Sequence, residues 1–135
     1  MEIHESVQQI LQAKDQLGAM FYDHFLTHYP EVQRHFQGVD LKRQSVLLIT
    51  ALMIIEQHSA HPTPAIELYL QYLGTRHHGL QIPKDLYAVW VQAMLETMQK
   101  FHGQDWTPSL EDQWRQAFDR AIQLMFRGYE ERVSI

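Results

Sequence analysis

A histidine lies on the apolar face of a predicted helix near the middle of the chain. On a 3.6-residue period, the segment 65–78 places Ile66, Leu70, Leu73 and His77 on one face. The chain contains no cysteine, and a tyrosine follows this histidine after ten residues. A histidine directed at a core in such a setting is what an axial haem ligand would look like. The alternative is a core histidine whose ring nitrogens are satisfied by other protein groups.

Two further polar side chains lie on predicted apolar faces, and a third, Tyr87, follows Pro83 by one helical turn. Gln44 is the only polar residue on the inward face of the helix predicted over 40–58, and one unmet hydrogen bond of a buried amide costs ~1–3 kcal/mol. Tyr22 lies on an earlier apolar stripe, where its phenol needs a partner. Tyr87 could accept the free N–H of an axial imidazole and so orient its ring. The alternatives are that Gln44 reaches solvent, Tyr22 bonds to a backbone carbonyl and Tyr87 packs as an ordinary aromatic.

The other histidines carry weaker signals. His24 and His28 have the i, i+4 spacing of a helical zinc pair, but no Asp or Glu supplies a convincing third ligand. His58 and His61 flank a loop and are expected to be solvated, and His78 falls on a more polar face than its neighbour. A Gly-rich phosphate loop, a serine in a strained turn and a paired-carboxylate motif are all missing from the sequence.

Bulk properties exclude several classes of protein. The 135 residues are enough for one domain, expected over 1–135. A net charge of −5 argues against binding to nucleic acid. The lack of cysteine excludes disulfides, thiolate-ligated or covalently attached haem, iron–sulfur clusters and Cys-type zinc sites. Neither a secretory signal nor a membrane span is expected, because the N-terminus is acidic and the longest apolar run, 46–55, falls short of ~20 residues. We therefore expect a soluble, cytoplasmic protein.

The hydrophobic pattern predicts helices and no sheet, since period 3.6 recurs and period two does not. In chain order the predicted helical segments are 7–17, 21–29, the short turn 30–36, 40–58, 65–79, 83–102 and 107–131. Asp40 and Thr107 are predicted N-caps, and Gly79 and Gly103 are predicted stops. The short helices near His77 favour an arrangement around a cavity over a bundle of four long helices.

Four motifs occur in a fixed order along the chain. They are Phe21-Tyr22-x-x-Phe25 with Pro30, Val32 and Phe36; Leu73-Gly74-x-Arg76-His77; Tyr87 ten residues later; and Trp114-x-x-Ala117-Phe118. Together they resemble the corresponding helices of bacterial single-domain globins and of the globin part of flavohaemoglobins. The resemblance covers about residues 7–130. It implies an all-α globin fold, with about seven helices around a haem pocket.

On the proximal side of that pocket, the resemblance makes His77 the iron ligand of haem b. Tyr87 would bond to His77. The resemblance also makes Phe36, which follows the short third helix, the residue that stacks on the haem face, without assigning it to a side. The family often adds a glutamate of the last helix to this His–Tyr pair. The matching position here is about Tyr129, with Glu130 beside it. The sequence departs from the family at this point. The resemblance therefore gives no support for strong electron donation from the proximal histidine to the iron.

On the distal side, Tyr22 and Gln44 would donate hydrogen bonds to bound dioxygen, and Leu48 would be the apolar residue over the iron. Each charge-assisted bond contributes ~1.5–3 kcal/mol, which slows ligand release by about one to two decades. The resemblance therefore implies tight binding of dioxygen with slow release, and binding of NO and CO. It also implies a possible NO dioxygenase-type reaction, with electrons from an external reductase.

Two other classes of function stay open at this point. One is a gas- or redox-sensing globin module. The other is a haem-free globin-fold signalling domain, in which the proximal histidine and the distal polar residues are usually lost. Those residues are present here, which favours the haem-binding interpretation. The sequence does not distinguish a monomer from a homodimer.

Overall fold

Six α-helices and two short 3-10 helices form the fold in the computed structural model, which describes residues 1–134. In chain order they are α1 (Ile3–Gln12), α2 (Lys14–His28), the 3-10 helix Pro30–His35, α3 (Leu41–Ala60), α4 (Pro64–Gly79), α5 (Leu86–His102), the 3-10 helix Gly103–Asp105 and α6 (Pro108–Glu130). Residues 1–134 contain no strand, and the all-α prediction is confirmed. No helix within this range combines the length and the apolar character that a bilayer crossing requires.

Two predicted helix boundaries were wrong. The first break falls at Ala13, whose φ of −131° and ψ of 42° lie outside the helical region, and Leu17 belongs to the second helix. The apolar period runs on across Ala13, so the sequence carries no local stop signal there. The fifth helix begins at Leu86 rather than Pro83. Residues 83–85 form a turn instead, in which the carbonyl of Pro83 accepts from the Leu86 N–H at 3.1 Å.

The predicted helix caps are confirmed. The Asp40 carboxylate accepts from the backbone of α3, at 3.0 Å from the Lys42 nitrogen. The Thr107 hydroxyl oxygen accepts from Leu110 N–H at 3.1 Å, with Pro108 in the first turn of α6. Caps of this kind stabilise a helix by about 1 kcal/mol. The starts of α3 and α6 are therefore encoded locally.

Two glycines bring the backbones of α4 and α6 into direct contact. A Cβ on Gly74 would lie 1.7 Å from the carbonyl oxygen of Met125, and one on Gly128 would lie 2.1 Å from that of Gln71. The Thr75 hydroxyl also donates to the Gly128 carbonyl across this crossing, at 3.1 Å. Gln71, Gly74 and Thr75 lie on the more polar face of α4, and this is the face that packs against α6.

Two histidines are more buried than their sequence context suggests. His58, expected to be solvated, is 5% exposed, and its Nε2 lies 3.1 Å from the Glu67 carboxylate. His102, for which the sequence predicts no role, is the last residue of α5 and is buried against α1. Its Nε2 lies 2.6 Å from the Ser6 hydroxyl oxygen, which also accepts from the Trp114 indole N–H at 3.0 Å. Both contacts depend on partners from other helices or turns, which local patterning does not reveal.

Candidate functional site

His77 and Tyr87 meet where the end of α4 passes the start of α5. The Nδ1 atom of His77 lies 2.7 Å from the hydroxyl oxygen of Tyr87. Burial, with a smaller contribution from the charge of Arg76, lowers the pKa of His77 to about 4. The imidazole is therefore neutral near pH 7. Within residues 1–134 its Nε2 has no hydrogen-bond partner.

The adjacent histidine is directed elsewhere. The Arg132 guanidinium donates from Nη2 to the Nε2 of His78 at 2.9 Å, beyond the end of α6. The edge of its ring also packs against Tyr129, with centroids 5.5 Å apart. Of the two neighbours, His77 is therefore the one whose ring leaves a nitrogen available to a further group.

A second cluster combines side chains of α2, α3 and the first 3-10 helix. Tyr22 is buried, and burial raises its pKa to about 12, partly offset by a hydrogen bond with the Gln44 side chain. The ring of Phe36 lies 5.6 Å from that of Tyr22. Leu48, one turn after Gln44, is 5% exposed, whereas Leu41, three residues before Gln44, is 37% exposed. Leu41 lies at the start of α3, beyond the core.

The two clusters lie on helices that share a neighbour but hardly touch each other. Both α3 and α4 pack against α6, while few residues of α3 approach α4. The helix that carries Gln44 and the helix that carries His77 are therefore held in place mainly through α6 rather than by direct packing on each other.

Comparison with known proteins gives the family. The family model described as Globin matches residues 19–125, which is most of the chain. The chain belongs to the globin family. This globin is also similar to a protein of known crystal structure from Pseudomonas aeruginosa PAO1, described as structurally highly homologous to a human haemoglobin. The TM-score is 0.79 and the sequence identity 25%, over 95% of this chain and 98% of that one. The predicted resemblance to bacterial globins is confirmed.

Globins generally bind haem, and the residues of this globin fit such a group. An axial imidazole must be neutral, with one nitrogen free for iron and the other hydrogen-bonded to a partner. His77 meets these conditions through its low pKa and its contact with Tyr87. Tyr22, which is buried, and Gln44, which is half-buried, supply polar groups in an otherwise apolar region. The predicted site residues thus form two groups, each brought together by the fold.

The hydrogen bonds on the His77 side extend further than the His–Tyr pair. The Tyr129 hydroxyl donates to the carbonyl of Ile82 at 2.7 Å. The ring of Tyr129 also lies beside that of Tyr87, with centroids 5.9 Å apart, and burial, with a smaller contribution from Tyr129, raises the pKa of Tyr87. Glu130, beside Tyr129, is instead largely exposed and pairs with Lys84 at 3.5 Å. The position of Tyr129 could be predicted from its spacing along the last helix. No feature of the sequence pointed to its partner Ile82.

A polar cluster between α2 and α5 was missed from the sequence. The Nε2 of His24 lies 2.8 Å from the Glu96 carboxylate, which also accepts from the Tyr29 hydroxyl at 2.7 Å. Glu96 is separated from His24 by 72 residues, so no local spacing points to this acid. Residues 1–134 contain no group of three or more His, Cys, Asp or Glu side chains placed to hold a metal ion.

Proposed function

We propose that this globin holds haem b between α3 and α4 and binds diatomic gases: dioxygen, NO and CO. His77 would be the iron ligand. The observation that carries this proposal is the state of His77, a neutral imidazole with Nδ1 at 2.7 Å from Tyr87 and Nε2 available. The haem iron would supply the open coordination position at which a gas binds.

On the proximal side, Tyr87 would orient His77 by accepting from Nδ1–H. A partner at this nitrogen limits rotation of the ring and increases the basicity of Nε2. Away from His77, Phe36, whose ring packs beside Tyr22, would contact a haem face, and Leu48 on α3 would cover the gas site. Both apolar side chains would help to exclude water, and polar interactions are stronger in such a dry pocket.

On the distal side, Gln44 and Tyr22 would act as a pair of donors. Gln44 lowers the pKa of Tyr22 relative to burial alone, as expected if its amide N–H donates to the phenol oxygen. The phenolic proton then remains free for a gas ligand that carries partial negative charge. This supports tight oxygen binding with slow release, which suits chemistry on the gas better than its delivery.

The reaction we propose for such a pocket is conversion of NO by dioxygen to nitrate, with electrons supplied by a partner reductase. We also propose that residues 1–135 form a single globin domain. Contacts of α1 with both α3 and α6 support that extent, because they tie the N-terminal helix to the common core. The lack of cysteine suits the reducing cytoplasm, the location that we propose.

The absorption spectrum of the purified chain titrated with haemin tests the haem proposal. We expect a Soret band that saturates at one haemin per chain and shifts on reduction and again on addition of CO. A spectrum that remains that of free haemin would remove the haem and every gas-binding role that depends on it.

The Tyr22→Phe variant tests the distal side. We expect oxygen dissociation to become faster by at least about tenfold, since one charge-assisted hydrogen bond is lost. Stopped-flow measurement of oxygen release, with CO as the competing ligand, gives the rate. Tyr29→Phe is the matched control, because Tyr29 bonds to Glu96 instead. Equal rates in wild type and Tyr22→Phe would show that Tyr22 does not contact the ligand.

A further inference from the structure

A buried polar cluster joins the N-terminal helix to the end of α5. Ser6 of α1 and Trp114 of α6 are fully buried, and His102 is 7% exposed. The Ser6 hydroxyl oxygen lies 2.6 Å from Nε2 of His102 and 3.0 Å from the indole nitrogen of Trp114. Nδ1 of His102 lies 3.3 Å from the amide oxygen of Gln9, one turn later on α1. The histidine therefore contacts α1 through both of its ring nitrogens.

The donors and acceptors of this cluster determine the protonation state of the histidine. An indole N–H can only donate, so the Ser6 oxygen accepts from Trp114. The Ser6 hydroxyl has no third hydrogen-bond partner within residues 1–134, so its own proton must be donated to Nε2 of His102. The ring proton then lies on Nδ1, where the Gln9 amide oxygen can accept it. Every group of the cluster is satisfied only while the imidazole is neutral.

A second proton on His102 would disrupt these hydrogen bonds. Nε2–H would have to donate to the Ser6 oxygen, which leaves the Ser6 hydroxyl proton without an acceptor in a buried site. The unmet donor and the buried positive charge would both disfavour the docked position of α1. Burial accordingly lowers the pKa of His102, although the charge of the exposed Asp105 acts in the opposite direction.

Other charged side chains of the surrounding elements have partners outside the cluster. On α1 and at the start of α6 these are Glu2 with Gln113, Glu5 with the Glu2 backbone, Glu111 with Arg115 and Asp112 with Gln116. On α5, Lys100 is exposed. His4 of α1 lies 3.2 Å from the buried carboxylate of Glu56 on α3, a contact that protonation of His4 would strengthen. The two histidine contacts of α1 therefore respond to acid in opposite directions.

We propose that His102 is a pH-sensitive switch for the N-terminal helix: the neutral histidine holds α1 against α5 and α6, and its protonation releases α1. A released α1 exposes His102 to water, where the pKa of a histidine is about 6.5. Docking is therefore strongest above this pH and weakens as the pH falls below it, because the released state binds the proton more readily. Since α1 packs mainly on α3, its release would also uncover the helix that carries Gln44. The switch itself does not depend on haem.

Hydrogen exchange of the purified full-length chain between about pH 7 and pH 5, measured by mass spectrometry, tests the switch. The exchange rates are first corrected for the intrinsic effect of pH on amide exchange. We expect the protection of α1 to fall at least about fivefold over this range, as linkage requires when the released state takes up the proton. Protection of α4 should change little, which distinguishes release of one helix from global unfolding.

The His102→Gln variant separates the switch from other effects of acid. Its amide oxygen can accept from Ser6 and its side chain does not titrate, so the protection of α1 should be the same at both pH values. His4→Gln is the matched control on α1, because it removes the other histidine of that helix and should retain the loss of protection in acid. His61→Gln, at an exposed position, should behave as the wild type.

A second measurement decides the matter if His102→Gln does not fold. Long-range 1H–15N NMR of the wild type near pH 7 should show His102 with a protonated Nδ1 and a bare Nε2. Its protonation on acidification should coincide with the loss of protection in α1. An Nε2–H tautomer near pH 7, or unchanged protection of α1 in acid, would overturn the proposal. So would a loss that persists in His102→Gln, or one that is equal in α1 and α4. None of these outcomes depends on whether the chain binds haem.

Discussion

Replacing His77 with alanine should abolish the Soret band of the haemin-titrated protein, whereas His78→Ala should retain it. His77 has a neutral ring and a free Nε2, while His78 is bonded to Arg132. We therefore expect the Soret band to be fully lost in His77→Ala and fully retained in His78→Ala, although the two positions are adjacent on one helix. The measurement is the absorption spectrum of each variant in the ferric, ferrous and ferrous–CO states.

A folding control keeps this comparison interpretable. Far-UV circular dichroism of both variants should match the wild type, since neither substitution disturbs the α4–α6 backbone contact. Imidazole added to His77→Gly should restore a ferric Soret band, because it can occupy the space left by the missing ring. A Soret band that survives in His77→Ala and disappears in His78→Ala would reverse the assignment of the two histidines.

The helices could largely be predicted from the sequence because their signals are local. Asp40 and Thr107 cap their own helices within three residues, and apolar residues recur at the period of the helix. The break at Ala13 could not be predicted, because no glycine or proline marks it. It follows from packing, since α1 lies mainly against α3 while α2 lies against α3 and α5.

The candidate site was predicted through the resemblance rather than from single residues. Taken alone, Tyr22 and Gln44 each had an ordinary alternative, and the structure brings them together as a pair. The contact of His24 with Glu96 and that of Tyr129 with Ile82 had no comparable signal. Each joins residues far apart in the chain, so the packing of helices had to be known before either partner could be found.

The close approach of α4 to α6 should make Gly74→Ala severely destabilising. The added methyl group would lie 1.7 Å from the Met125 carbonyl oxygen, a backbone atom that cannot rotate away. The helices must therefore separate or tilt, and we expect the free energy of unfolding to fall by at least about 3 kcal/mol. Urea denaturation of the haem-free protein, followed by circular dichroism, measures the change. Gly128→Ala should behave similarly, because its Cβ would meet the α4 backbone at Gln71.

Gly79→Ala on the same helix is the matched control. It is exposed, and a Cβ there would meet nothing within 4 Å, so helix propensity should leave stability unchanged or raise it by up to about 1 kcal/mol. Equal stability of Gly74→Ala and Gly79→Ala would contradict the direct backbone contact. If the contact is real, the same displacement of α4 should weaken haem binding in Gly74→Ala. Because α4 packs mainly on α6, we expect the contact of His77 with Tyr87, and with it the proposed role of His77 as iron ligand, to depend on this helix crossing.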